Sequence, residues 1–104
     1  MEDIMKNIVL ICAAGMSTSL LVSKMKKYSE KINYEANINA YPMSEVDEYG
    51  KDADIILLGP QVRFNLDKVK EAFPEKPVKV IEMMDYGMMN GEKVMKDIIN
   101  LLGE

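Results

Sequence analysis

Cys12-Ala13-Ala14-Gly15-Met16-Ser17-Thr18-Ser19 is the stretch of this chain whose residue types and spacing could do chemistry. Small residues let the backbone curl, Gly15 is free to take positive φ, and hydroxyls suit the opening of a helix. Successive amides in such a turn point inward, and a helix start adds roughly half a positive charge. A phosphate can therefore be held there without a basic side chain. The same field favours a thiolate, which makes Cys12 a competent nucleophile at the phosphate site itself. A strand ending in Cys-Ala-Ala-Gly before a helix is also an ordinary tight turn with the thiol as packing. What favours phosphate is the run of three hydroxyls, because a helix start needs only one.

The totals narrow the chemistry further. The 104 residues contain no histidine, which excludes a serine–histidine–aspartate triad, a cysteine–histidine pair and a histidine-ligated metal within the chain. Neither a metal nor a cofactor is expected, and any histidine chemistry must come from a partner. A single cysteine cannot form an internal disulfide. With 17 acidic against 13 basic residues, the formal charge of −4 gives no long-range attraction for nucleic acid or anionic lipid. Hydrophobic residues at 48% and charged residues at 29% describe a globular chain, read as one domain over residues 1–104. The longest apolar runs, such as Ile55-Ile56-Leu57-Leu58, fall far short of the ~20 residues of a membrane span. Met1 to Lys6 lacks the basic region and small-residue cleavage site of a secretory signal, so a cytoplasmic location is expected.

The elements that must position Cys12 follow from periodicity. Asn7 to Ile11 is a continuous apolar run, the pattern of a strand buried on both faces. Leu21, Met25, Tyr28 and Ile32 mark one face of a helix, with Lys24, Lys27 and Lys31 on the other. A second strand is expected over Glu35 to Ala40 and a short helix over Ser44 to Tyr49, ending near Gly50. Ala53 to Leu58 gives a third strand closed by Gly59-Pro60, and Leu66, Val69 and Phe73 the stripe of the next helix. Pro77 to Ile81 is a fourth strand. Asn90 can cap a last helix whose Val94, Ile98, Leu101 and Leu102 face inward.

Four β–α units predict an α/β protein with a single four-stranded parallel sheet and helices on both faces. The expected strand order is 2-1-3-4, flavodoxin-like, as in low-molecular-weight phosphatases. Such a sheet binds ligands outside the carboxyl ends of its strands, beside the first strand, and Cys12 follows that strand directly.

With the elements in place, the residues resemble the IIB components of the lactose/cellobiose (chitobiose) branch of the bacterial sugar phosphotransferase system. Cys12 through Val22 looks like that family's phosphorylation loop and first helix, and Ala53 through Val62 like its third strand and following turn. Pro77 to Ile81 and Tyr86-Gly87 are also similar, so the resemblance covers nearly the whole chain. It implies a relay in which Cys12 takes a phosphoryl group from a histidine of a IIA protein. The cysteine then passes it to a sugar on the membrane IIC component, such as cellobiose, chitobiose or lactose. The amides of Ala13, Ala14, Gly15, Met16, Ser17, Thr18 and Ser19 would cradle the phosphate. The implied carrier is a monomer that docks transiently, at times on the membrane transporter.

The family's loop is similar in shape to that of low-molecular-weight tyrosine phosphatases, which carry arginine six positions after the cysteine. Here that position is Thr18. A guanidinium gripping the phosphoryl oxygens would stabilise water attack as well as transfer, and a carrier should avoid hydrolysis. Two other readings stand beside the relay: a cysteine phosphatase or arsenate-reductase-like enzyme, and a non-enzymatic anion-binding module in which Cys12 only packs.

Further residues fall near the same edge. Gln61 is a candidate for orienting the phosphoryl group, and Tyr86 for supporting the site around it. Arg63, the only arginine, could touch phosphate or a partner's carboxylate, or be solvated surface. Asp85 could serve as a phosphatase general acid, but turn chemistry is the preferred reading. Met83, Met84, Met88 and Met89, among ten methionines, fit either a surface that meets two partners or core filling. Met16 is the expected partner contact within the loop.

Overall fold

The computed structural model describes residues 5–13 and 16–104, the side chains of Met16 and Ser17 excepted. The first strand, β1 (Lys6–Cys12), is buried continuously from Ile8 to Cys12, as a strand covered on both faces must be. It pairs in parallel with β2 (Ala36–Pro42) on one side and β3 (Ile55–Leu58) on the other. β4 (Val78–Val80) adds to β3, giving the order β2-β1-β3-β4. The expected order 2-1-3-4 is the one observed, and β1 is therefore an interior strand.

Alternation along the strands divides the core. Ile8 and Leu10 of β1 join Ile55 and Leu57 of β3 on one face. Val9 and Ile11 join Ile56 and Leu58 on the other. The first face is covered by α1 (Met16–Lys31), through Leu21, Val22 and Met25, and by α5 (Gly91–Leu101), through Val94, Met95 and Ile98. Leu21 and Met25 are fully buried, worth about 1.5–3 kcal/mol each. The second face is covered by Val46 of α2 (Val46–Tyr49), Val69 of α3 (Leu66–Ala72) and Val62 of the 3-10 turn Pro60–Asn65.

Two glycines admit close approaches. A Cβ on Gly50 would stand 2.7 Å from the Phe73 ring, and one on Gly91 would stand 2.6 Å from the Lys24 and Met25 main chain. Gly91 thus lets the start of α5 lie directly on α1. Asn90 caps α5 as expected, its Oδ1 accepting from the amide of Lys93 at 3.1 Å.

The structure departs from expectation at several positions. Ile32 is 40% exposed because α1 ends at Lys31 and the chain turns away through Asn33, at φ 58°. Leu101 is exposed, and the inward place on α5 belongs instead to Met95, which follows Val94 on the buried stripe. The short helix expected over Ser44 to Tyr49 is present as α2, its first turn being a 3-10 turn, Met43–Glu45. The segment after β4 is a short helix, α4 (Met83–Gly87), in which the amide of Tyr86 donates to the carbonyl of Glu82. Among the described residues no helix is long and apolar enough to cross a membrane.

Candidate functional site

Cys12 is the last residue of β1, so its side chain lies at the carboxyl edge of the sheet, paired in register with Pro42. The pleat puts it on the face of Ile8 and Leu10, the face α1 covers. The thiol is only 2% exposed, yet it is absent from the apolar cluster on either face. Its Sγ lies 3.8 Å from the main-chain oxygen of Tyr41, to which the S–H donates weakly. That carbonyl is well anchored, because the Tyr41 ring stacks on Tyr49 with centroids 3.8 Å apart and planes 3° from parallel.

α1 begins at Met16, four residues beyond the cysteine. The first amides of a helix have no partners within it, which is why a helix start can receive an anion. Of the expected cradle, Ala14 and Gly15 lie outside the described residues, as do the side chains of Met16 and Ser17, and with them the expected Met16 contact. Ala13 and Ser19 are exposed at the edge, and Ser19 is engaged in a contact of its own.

Thr18 is 1% exposed, and its hydroxyl lies 3.1 Å from the Tyr86 hydroxyl in a buried hydrogen bond. Its side chain is thus turned to α4. Tyr86, 7% exposed, also borders Gly59: a Cβ there would be 3.7 Å from Tyr86 Cε1, 3.6 Å from the Ile11 carbonyl and 2.8 Å from Gln61 Oε1. The amide of Gly59 donates to that Ile11 carbonyl at 2.8 Å, which draws the end of β3 against the end of β1. Cys12, Thr18, Gly59, Gln61 and Tyr86 are accordingly gathered at one edge by the end of β1, the turn after β3, the start of α1 and the short helix α4.

Two candidates are engaged elsewhere. Arg63 folds back on its own turn, Nη1 donating to the Pro60 carbonyl at 2.9 Å and the guanidinium lying 4.6 Å from the Phe64 ring centroid. Asp85 is not a turn residue: it sits in α4, with Lys93 Nζ 3.5 Å from its carboxylate. Exposed apolar side chains follow the carboxyl ends of β3 and β4, with Phe64 83%, Met83 65% and Met84 73% exposed, while Met88, 70% exposed, lies beside Lys24, Tyr28 and Lys31 of α1. Met89 differs from its neighbours by packing on the α1–α5 core.

The Thr18–Tyr86 bond and the Tyr41 carbonyl escape sequence reasoning. No periodicity marks a hydrogen bond between residues 68 positions apart. A buried hydroxyl inside the first helical turn was nonetheless a signal that it needed a partner.

Comparison with known proteins agrees with this geometry. The family model described as "PTS system, Lactose/Cellobiose specific IIB subunit" matches residues 7–97. The oligo-beta-mannoside-specific EIIB component of Bacillus subtilis (strain 168) is 41% identical over 100 residues, spanning 94% of this chain and 97% of that protein. The cellobiose-specific EIIB component of Lactococcus lactis subsp. lactis (strain IL1403) is 43% identical over 104 residues, spanning 93% and 96%. The solution structure of the cellobiose-specific phosphotransferase IIB component from Borrelia burgdorferi superposes with a TM-score of 0.78 at 42% identity, covering 94% of this chain and 92% of that one. With an interior strand that delivers one cysteine to the start of a helix, this chain belongs to the lactose/cellobiose IIB family, the sugar-phosphotransfer component that works with IIA and IIC partners.

Proposed function

We propose that Cys12 carries the phosphoryl group of this phosphotransferase. The observation that supports it most is the cysteine's position: the chain's single thiol ends an interior parallel strand at the carboxyl edge and leads within four residues into the open amides of α1. On this reading the sulfur attacks the phosphorus held on a histidine of the IIA partner. The N–P bond breaks as the S–P bond forms, and the thiol proton passes to the released imidazole. The S–P bond then breaks in favour of a hydroxyl of a sugar bound by IIC, and the sulfur recovers its proton from that hydroxyl.

The amides from Ala13 to Ser19 hold the phosphoryl oxygens, and Gln61, beside Gly59, orients them. The sugar is a β-linked disaccharide or short oligosaccharide, a class suggested by the cellobiose and oligo-beta-mannoside names of the relatives. Residues 1–104 act as one IIB domain, a cytoplasmic monomer that docks transiently. Phe64, Met83 and Met84 form the apolar rim that both partners meet in turn. A hydrolytic reading is disfavoured because Thr18 stands where a phosphatase arginine would be, and its hydroxyl is committed to Tyr86.

Mass spectrometry after incubation with phosphorylated IIA protein tests the assignment. One phosphoryl adduct confined to Cys12 is expected, and no release of product from a chromogenic aryl phosphate. An adduct on any other residue overturns it.

A further inference from the structure

We propose that Tyr86 is a positioning residue for phosphoryl transfer, acting through its buried hydrogen bond to Thr18; this rests on the reading of Cys12 as carrier. Thr18 lies in the first turn of α1, where the amides without helical partners are found. Its hydroxyl, 3.1 Å from the Tyr86 phenol oxygen, is the contact that ties this turn to α4. The phenol ring in turn borders Gly59, whose amide is bonded to the Ile11 carbonyl next to Cys12. A single tyrosine thus touches the helix start that presents the amides and the strand end that lies against the sulfur's own strand.

Both hydroxyls are buried, and Tyr86 belongs to the apolar cluster that includes Leu21 and Met25. A hydrogen bond in such surroundings is directional and costly to leave unmade, so it fixes a geometry as well as holding two elements together. Where a phosphatase of similar loop shape would extend a guanidinium toward the substrate, this chain uses the same position to orient main-chain donors. The bond does not touch the phosphoryl group. Its effect is on the aim of the amides relative to Cys12, and small errors of aim are expensive in transfer chemistry.

Single-turnover transfer from phosphorylated IIA protein to the full chain is the test, run on the wild type, Tyr86→Phe, Thr18→Val, Thr18→Ser and the double variant Tyr86→Phe/Thr18→Val. Tyr86→Phe and Thr18→Val should each lower the rate at saturating donor by about tenfold and leave the half-saturating donor concentration unchanged. Thr18→Ser, which keeps the hydroxyl, should recover most of the loss. The double variant should be no more than about twofold slower than the slower single variant, because both changes remove one bond. The phosphorus-31 resonance of the loaded protein should move in Tyr86→Phe and Thr18→Val and return in Thr18→Ser.

Wild-type rates in both single variants would overturn the proposal, as would losses that multiply in the double variant. So would a Thr18→Ser protein as slow as Thr18→Val, which would point to shape in place of the hydroxyl. Should Thr18→Val fail to fold, Tyr86→Phe, which keeps the ring, decides with Thr18→Ser. The carrier assignment fails separately, by a wild-type adduct away from Cys12, whatever the variants do.

Discussion

The two edges of the sheet are built on opposite plans. At the amino edge, polar groups pair with one another, although the buried Tyr34 hydroxyl has no hydrogen-bond partner among the described residues. The Asn7 amide donates to Asp54 Oδ2 at 2.7 Å and its side chain to the Asp52 carbonyl at 2.8 Å. Lys76 Nζ reaches the Ala53 carbonyl at 2.8 Å, and Lys6 pairs with Glu104 at 2.9 Å. At the carboxyl edge the hydrogen bonds are inward, between Thr18 and Tyr86 and between Gly59 and Ile11, while the outer rim is apolar and exposed. The contrast teaches a division of labour. One edge closes the fold, and the other keeps apolar side chains such as Met83 and Met84 exposed, where encounter with a partner can bury them.

Substitutions at each edge should separate the two roles. The largest effect is expected from Cys12→Ser: phosphoryl transfer abolished, with the midpoint of chemical unfolding nearly that of the wild type. Transfer surviving in that variant would end the contrast at its root. Asp54→Ala should do the reverse, costing about 2 kcal/mol in denaturant unfolding through loss of a charge-assisted bond, with transfer kinetics intact at temperatures where the variant is folded. A smaller effect is expected from Met83→Ser/Met84→Ser, which should raise the half-saturating concentration of the IIA donor about fivefold without lowering thermal stability.

The smallest is a pH effect at the amino edge. The Lys6 ammonium, and after it the nearby Tyr34 hydroxyl, hold the Glu104 carboxyl below its ordinary value of 4.5. A depressed carboxyl contributes stability that is present above 4.5 and lost as pH falls through the folded-state value. The site is solvent-exposed, so the contribution is slight and screened by salt. In Glu104→Gln the acid-side decline of the unfolding midpoint should be shallower, and transfer should be unaffected.

How far the sequence revealed this arrangement depends on whether a feature is local. β1 was legible because five apolar residues in a row leave no polar face to solvate, and α1 because Leu21 and Met25 recur at a helical step. Cys12 was legible through its neighbours, since the strand, the small residues and the helix start are contiguous. The two departures have different reasons: Ile32 lies past the end of α1, where the chain turns away, whereas Leu101 is still in α5 but off the stripe of Val94, Met95 and Ile98. α4 was missed because a five-residue helix shows barely one turn of pattern, and its buried side is a lone tyrosine. The roles of Asp85 and Arg63 depended on Lys93 and Pro60, partners that their own positions do not announce. The helix expected to end near Gly50 does end there, but at an ordinary φ of −71°, and the absence of a side chain serves the Phe73 ring, which no local pattern announces.

The contact between the Cys12 thiol and the Tyr41 carbonyl bears on how a load is taken up. An S–H can face a carbonyl oxygen, whereas a dianionic phosphate ester at the same spot would be repelled by it and has no room at 2% exposure. On the proposed reading of Cys12 as the carrier, the sulfur would have to leave the Tyr41 carbonyl to be loaded.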